Sequence, residues 1–130
     1  MQVYMDRHFY RGPKGRPEIE AWAAGRAPDV YNAMQGPNEW TTTGALKGWS
    51  TVDRLHEIDI PTLVVRGRYD MCTDAVARQL LDGLPNAREV VLDNSSHTPV
   101  LEESDRYLEV VGDFLREAES GGGRIRTSVG

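Results

Sequence analysis

A single cysteine, Cys72, occurs in the 130 residues. This excludes an intrachain disulfide and the disulfide-dense architecture of small secreted domains, and it makes a reducing, cytoplasmic setting the expectation. Long apolar runs are missing as well. Stretches such as Leu63-Val64-Val65 are strand-sized, so no membrane span is expected. The first ten residues do not read as a secretory leader, because Asp6, Arg7 and His8 interrupt any apolar stretch. Positive charge is in short supply: 15 Lys and Arg stand against 20 Asp and Glu, a net charge of −5. Phosphate binding needs a concentrated basic face, so a nucleic-acid partner is not expected. Histidine is sparse too, and His8 and His56 lack metal-ligand spacing to His97. No metal or other cofactor is expected. With 39% apolar and 27% charged residues, the chain is neither disordered nor short of core-forming side chains.

Three regions separate by composition. Residues 1–50 are rich in Trp, Tyr, Gly and Pro, with short helical stretches at Pro17–Ala24 and Pro28–Met34, each opened by a proline suited to a helix first turn. Neither is long enough to stand alone, and the region reads as a helical lid. Residues 51–119 follow a different grammar. Ile60 to Val65 reads as a strand whose apolar residues run without alternation, as in a parallel strand covered on both faces. A helix is expected from Thr73 to Leu84, with Ala77, Leu80, Leu81 and Leu84 on one face and Gly83 and Pro85 at its end. A second strand, Glu89 to Leu92, and a last helix, Ser104 to Glu117, complete a βαβα unit of a parallel α/β fold. Leu108, Val111 and Leu115 form the expected buried stripe of that helix. Residues 120–130, with three consecutive glycines, read as a flexible tail.

Functional side chains of parallel sheets sit on loops just beyond the carboxyl ends of the strands. Asp70 follows the first strand and His97 the second, so the pattern puts a carboxylate and an imidazole at one edge. A carboxylate there can accept the Nδ1–H of the imidazole, fix its tautomer and stabilise the imidazolium formed during proton transfer. Taken singly, Asp70 is also a good turn residue and His97 a good hydrogen-bonded loop histidine; the joint placement favours chemistry.

The stretches IPTLVVRGRYD, NSSHTPVLEE and YLEVVGDFL resemble the last strands and final helix of α/β-hydrolases, in which a serine, an acid and a histidine follow in that order. More narrowly, NAMQGPNEWTTTGALKGWSTVDRLHEIDIPTLVVRGRYD resembles the proline iminopeptidase (prolyl aminopeptidase) branch, and the likeness runs from about Tyr4 to Leu115. The resemblance implies the C-terminal part of a serine peptidase preceded by helical cap segments, with Asp70 and His97 as triad acid and base. The implied activity is release of an N-terminal residue, often proline, from short peptides, or hydrolysis of an amino-acid amide or ester. It also implies that Glu39, in its GPNE setting, binds the free amino group of the substrate, since a shielded carboxylate pairs well with an ammonium. A solvated loop glutamate is the plainer alternative. The family usually carries a second glutamate directly after the triad aspartate; here that position is Met71, and Asp74 is the nearest other carboxylate.

The nucleophile is absent. No Gly-x-Ser-x-Gly occurs, and the nearest miss, Gly48-Trp49-Ser50-Thr51-Val52, lacks the second glycine and follows no strand. Ser95 and Ser96 are expected to shape the loop of the base. Cys72, beside an aspartate, is expected to be a small buried residue. Trp22, Trp40 and Trp49 are expected to fill an apolar interface or line a pocket, and Arg7, Arg11 and Arg54 to be surface or salt-bridging groups. The partner implied by these absences is the missing N-terminal half of the hydrolase, and the chain alone is expected to be inactive. An esterase or amidase of the same fold is the enzymatic alternative, and a noncatalytic truncated module the alternative of another class.

Overall fold

The computed structural model describes residues 2–25 and 27–121, apart from the side chains of Trp22 and Ala23. The tail expected at 120–130 therefore lies outside the described residues from position 122 onwards, as does the environment of the Trp22 ring. The described residues gather into two compact units, Pro13–Thr51 and the rest. Residues 2–12, expected to be part of the lid, belong with the second of these.

The unit Pro13–Thr51 holds helices α2 (Pro17–Ala24) and α3 (Pro28–Met34), each with proline in its first turn as expected. After α3 the chain turns back on itself. The Gln35 carbonyl accepts the N–H groups of Thr43 and Gly44, and Gly36 adopts φ 123°. A Cβ at Gly36 would press on the Thr41 carbonyl and the Thr43 hydroxyl, so the turn requires glycine on two counts. Trp40 and Trp49, expected to fill an apolar interface, are exposed.

The other unit opens with α1 (Gln2–His8), which no pattern in the sequence marks as a helix. A 3-10 helix, Val52–Glu57, leads to strand β1 (Thr62–Gly67), helix α4 (Asp74–Gly83), strand β2 (Ala87–Leu92), the short helix α5 (Pro99–Glu102) and the long helix α6 (Ser104–Ser120). Helix α6 outruns its expected end and takes in Ser120, the first residue of the expected tail. Strands β1 and β2 pair in parallel, in register from Thr62 against Ala87 to Gly67 against Leu92. Their carboxyl ends are thus level, a relation that parallel pairing allows and antiparallel pairing does not.

Helix α4 buries Ala77 as its periodicity requires, and packs on the 3-10 helix through Leu55 and Gly83. The stripe expected on α6 is displaced by one position. Val110 and Phe114 are buried, whereas Leu108 is 64% and Leu115 51% exposed. Alternation along β1 sends Leu63 and Val65 to one face. There they line an open groove of about 470 Å³ with Pro99, Val111, Phe114 and Leu115. The apolar run of β1 is consequently half-buried here rather than covered on both faces. Among the described residues no helix is long and apolar enough to cross a membrane.

Candidate active site

Asp70 lies three residues beyond Gly67, and His97 five residues beyond Leu92, so level strand ends deliver both to one edge. The two loops are laced together. Arg68 N–H donates to the Leu92 carbonyl at 2.8 Å, continuing the ladder past β1, and Tyr69 N–H donates to the Ser95 carbonyl at 3.0 Å. Gly67 makes this possible: a Cβ there would overlap the backbone of Ser95 and Ser96, which crosses directly over it. Arg68 also pairs with Asp93 across the strand ends.

Oδ1 of Asp70 lies 2.8 Å from Nδ1 of His97 and 2.7 Å from the backbone nitrogen of Cys72. An ionised carboxylate only accepts, so Nδ1 carries the proton and Nε2 of the neutral ring keeps its lone pair. The Asp70 side chain is 5% exposed and that of His97 44%. The acid is therefore shielded while the imidazole is partly open, an arrangement in which the ring can take a proton from a facing group and return it.

Two glutamates hold the loop of the base. Ser95 and Ser96 are fully buried, and neither is positioned as a nucleophile. The Ser95 hydroxyl donates to Glu103 at 2.5 Å, and the Asn94 N–H to the same carboxylate at 2.9 Å. The Ser96 hydroxyl and N–H each donate to Glu102 at 2.7 Å. The Ser95 hydroxyl, and after it the Asn94 N–H and side chain, hold the Glu103 carboxyl below the usual glutamate range, against a smaller opposing effect of burial and of Asp93. This Glu-Glu pair closes the stretch NSSHTPVLEE, where no pattern in the residues gives it a task. Its signal is weak, because two acids ahead of a helix are ordinary surface residues.

Cys72 sits behind the acid. Expected to be buried, it is half-buried; burial, then the charge of Asp70, pushes its thiol above the usual cysteine range, which disfavours the thiolate. Asp74, the nearest other carboxylate, pairs with Arg66 at 2.7 Å, and Arg66 also holds Glu89 at 2.6 Å. Arg54 pairs with Glu57 on the surface as expected. Arg11 does more: its guanidinium lies 3.7 Å from the Tyr69 ring centroid.

Glu39 belongs to the unit Pro13–Thr51, at the tip of a tight turn. Asn38 and Thr41 bridge its base, the Asn38 side chain caps Trp40 N–H at 3.0 Å, and the Gln35 amide reaches the Glu39 carbonyl and the Thr42 hydroxyl. The GPNE stretch is thus a defined loop that presents Glu39 exposed. No group of three or more His, Cys, Asp or Glu side chains that could hold a metal ion occurs among the described residues.

A parallel βαβα unit with acid and imidazole beyond its level strand ends is the architecture of part of an α/β-hydrolase, and solved structures agree. The crystal structure of VinJ superposes with a TM-score of 0.83 at 40% identity, covering 91% of this chain and 40% of that one. The proline iminopeptidase of Mycobacterium smegmatis superposes at 0.82 with 31% identity and the same two coverages. The proline iminopeptidase of Saccharolobus solfataricus is 40% identical over 91 residues, which is 70% of this chain and 29% of that protein. No protein-family model matches the chain. The chain spans less than half the length of each of these relatives. It belongs to the α/β-hydrolases, in their proline iminopeptidase-like branch, and its partial coverage fits the C-terminal portion of such a protein.

Proposed function

We propose that this chain is the acid–base portion of a serine hydrolase that releases N-terminal residues, proline among them, from short peptides. The observation that carries this reading is the 2.8 Å contact between a buried Asp70 and a half-open His97 at level strand ends. In the reaction, Nε2 of His97 takes the hydroxyl proton of a serine as that oxygen attacks the scissile carbonyl, then gives it to the departing amine. Asp70 keeps the tautomer and stabilises the imidazolium. The serine and the oxyanion hole come from a segment other than this chain, which contains no Gly-x-Ser-x-Gly.

Residues 13–51 act as the cap in this reading, and the exposed carboxylate of Glu39 receives the substrate ammonium. Met71, where the resembled enzymes carry a glutamate, supports an amine clamp with one carboxylate fewer. The same methionine favours the second reading, an esterase or amidase of this fold.

The test is a chimera in which this chain replaces the matching segment of the Saccharolobus solfataricus relative. The chimera hydrolyses proline arylamide, its His97→Ala variant does not, and the 130-residue chain alone neither turns over substrate nor labels with a fluorophosphonate. Stoichiometric labelling of a serine in the isolated chain, or full activity in the His97→Ala chimera, would contradict the proposal.

A further inference from the structure

The carbonyl oxygen of His8 accepts two backbone N–H groups, those of Met71 and His97, each at 3.2 Å. One belongs to the loop of the acid and the other to the base itself. Nδ1 of the His8 ring lies 2.8 Å from the Tyr69 carbonyl, and because a carbonyl only accepts, Nδ1 is the donor. The next residues continue the pattern. The Thr98 hydroxyl donates to the Phe9 carbonyl at 3.0 Å, and the Phe9 ring lies against the His97 imidazole with centroids 5.4 Å apart. Arg11 N–H donates to Glu102 at 2.5 Å, the carboxylate that also holds Ser96, while its guanidinium covers Tyr69 on the other loop.

We propose that His8 to Arg11 is a positioning strap for the acid–base pair. The strand ladder levels the ends of β1 and β2, but Asp70 and His97 stand three and five residues beyond it, past the Tyr69–Ser95 bond that laces the loops together. One oxygen that uses both lone pairs on the two loops fixes their separation, and the Phe9 ring limits rotation of the imidazole away from Asp70. This inference rests on reading Asp70 and His97 as acid and base. His8 itself is a positioning residue, since the bonds it makes to the two loops, from its carbonyl oxygen and from Nδ1, all go to backbone groups.

The experiment follows the His97 ring in the ¹⁵N-labelled 130-residue chain, through its ring nitrogen shifts and the solvent exchange of its Nδ1 proton. The wild-type chain shows one tautomer, protonated at Nδ1, with a protected proton. His8→Ala combined with Thr98→Val keeps the His8 carbonyl but removes the Tyr69 and Phe9 bonds that seat it between the loops, which mixes the tautomers and speeds that exchange on the order of 10-fold. His8→Asn, whose side-chain amide nitrogen occupies the place of Nδ1 and can donate to Tyr69, keeps the wild-type behaviour. Backbone amides of the β1–β2 ladder exchange at unchanged rates throughout. Three results would overturn the strap: an unaltered His97 ring in the double variant, ladder amides that accelerate as much as the ring proton, or a wild-type ring with no fixed tautomer. The readout is imidazole geometry rather than turnover, so failure of the hydrolase reading shows in the chimera assay and not here.

Discussion

The backbone of Ser95 passes so close over Gly67 that no side chain fits between them, and Tyr69 N–H donates to the Ser95 carbonyl just beyond the crossing. One glycine at the end of β1 therefore lets the loop of the base rest on the strand that delivers the acid. Without this approach the two loops would stand apart by the thickness of a side chain, and the 2.8 Å bond between Asp70 and His97 would open.

Gly67→Ala should accordingly be costly although it adds one methyl group. The clash is with backbone atoms, which cannot swing aside as a flexible side chain would. Destabilisation of about 1–3 kcal/mol is expected, as for overpacking elsewhere. The urea midpoint of the variant chain measures it. An unchanged midpoint would show that the loop does not rest on the strand.

The Glu103 carboxylate supports the same loop in a pH-dependent way. Its carboxyl is held below the usual value near 4.5, first by the Ser95 hydroxyl, so folding binds fewer protons there than the unfolded chain does. The contribution is fully present above that value and is lost as pH falls through the lower folded one. As pH falls below about 4.5, wild-type stability should fall more steeply than that of Glu103→Gln. Equal slopes in parallel urea titrations would contradict the assignment.

Glu39 governs substrate choice if the cap reading holds. In the chimera, Glu39→Gln should lower kcat/KM for proline arylamide while sparing a simple aryl ester and the N-acetylated arylamide. One charge-assisted hydrogen bond is worth roughly 1.5–3 kcal/mol, so the loss should be on the order of 10- to 100-fold. Met71→Glu should tilt the ratio towards free-amine substrates. Equal effects on all three substrates, or none, would favour the esterase reading.

The elements that sequence reasoning finds are those written in local pattern. Ala77, Leu80, Leu81 and Leu84 repeat at helical spacing, and Asp70 and His97 follow strand-like runs at similar distances, so the βαβα unit and the site edge are legible. On α6 two adjacent stripes compete: one through Leu108, Val111 and Leu115, the other through Tyr107, Val110 and Phe114. Periodicity alone cannot choose, and the sheet takes the second, burying Val110 and Phe114. The tasks of His8 and of Glu102 and Glu103 are not legible. His8 acts through a carbonyl oxygen that every residue possesses, on partners 63 and 89 positions away, and no side-chain pattern records such a bond. The glutamates act on buried serines whose burial depends on the crossing at Gly67.

The central claim is that Asp70 and His97 work as one acid–base unit, and Asp70→Asn in the chimera tests it most directly. An asparagine amide can donate to Nδ1 and so turn the imidazole into the wrong tautomer with little change in shape. The kcat for proline arylamide and for the aryl ester should then fall alike, by up to about 10⁴-fold, because the loss is in the base and not in substrate binding. An Asp70→Asn chimera that retains kcat within a few-fold of its parent on both substrates would contradict the account.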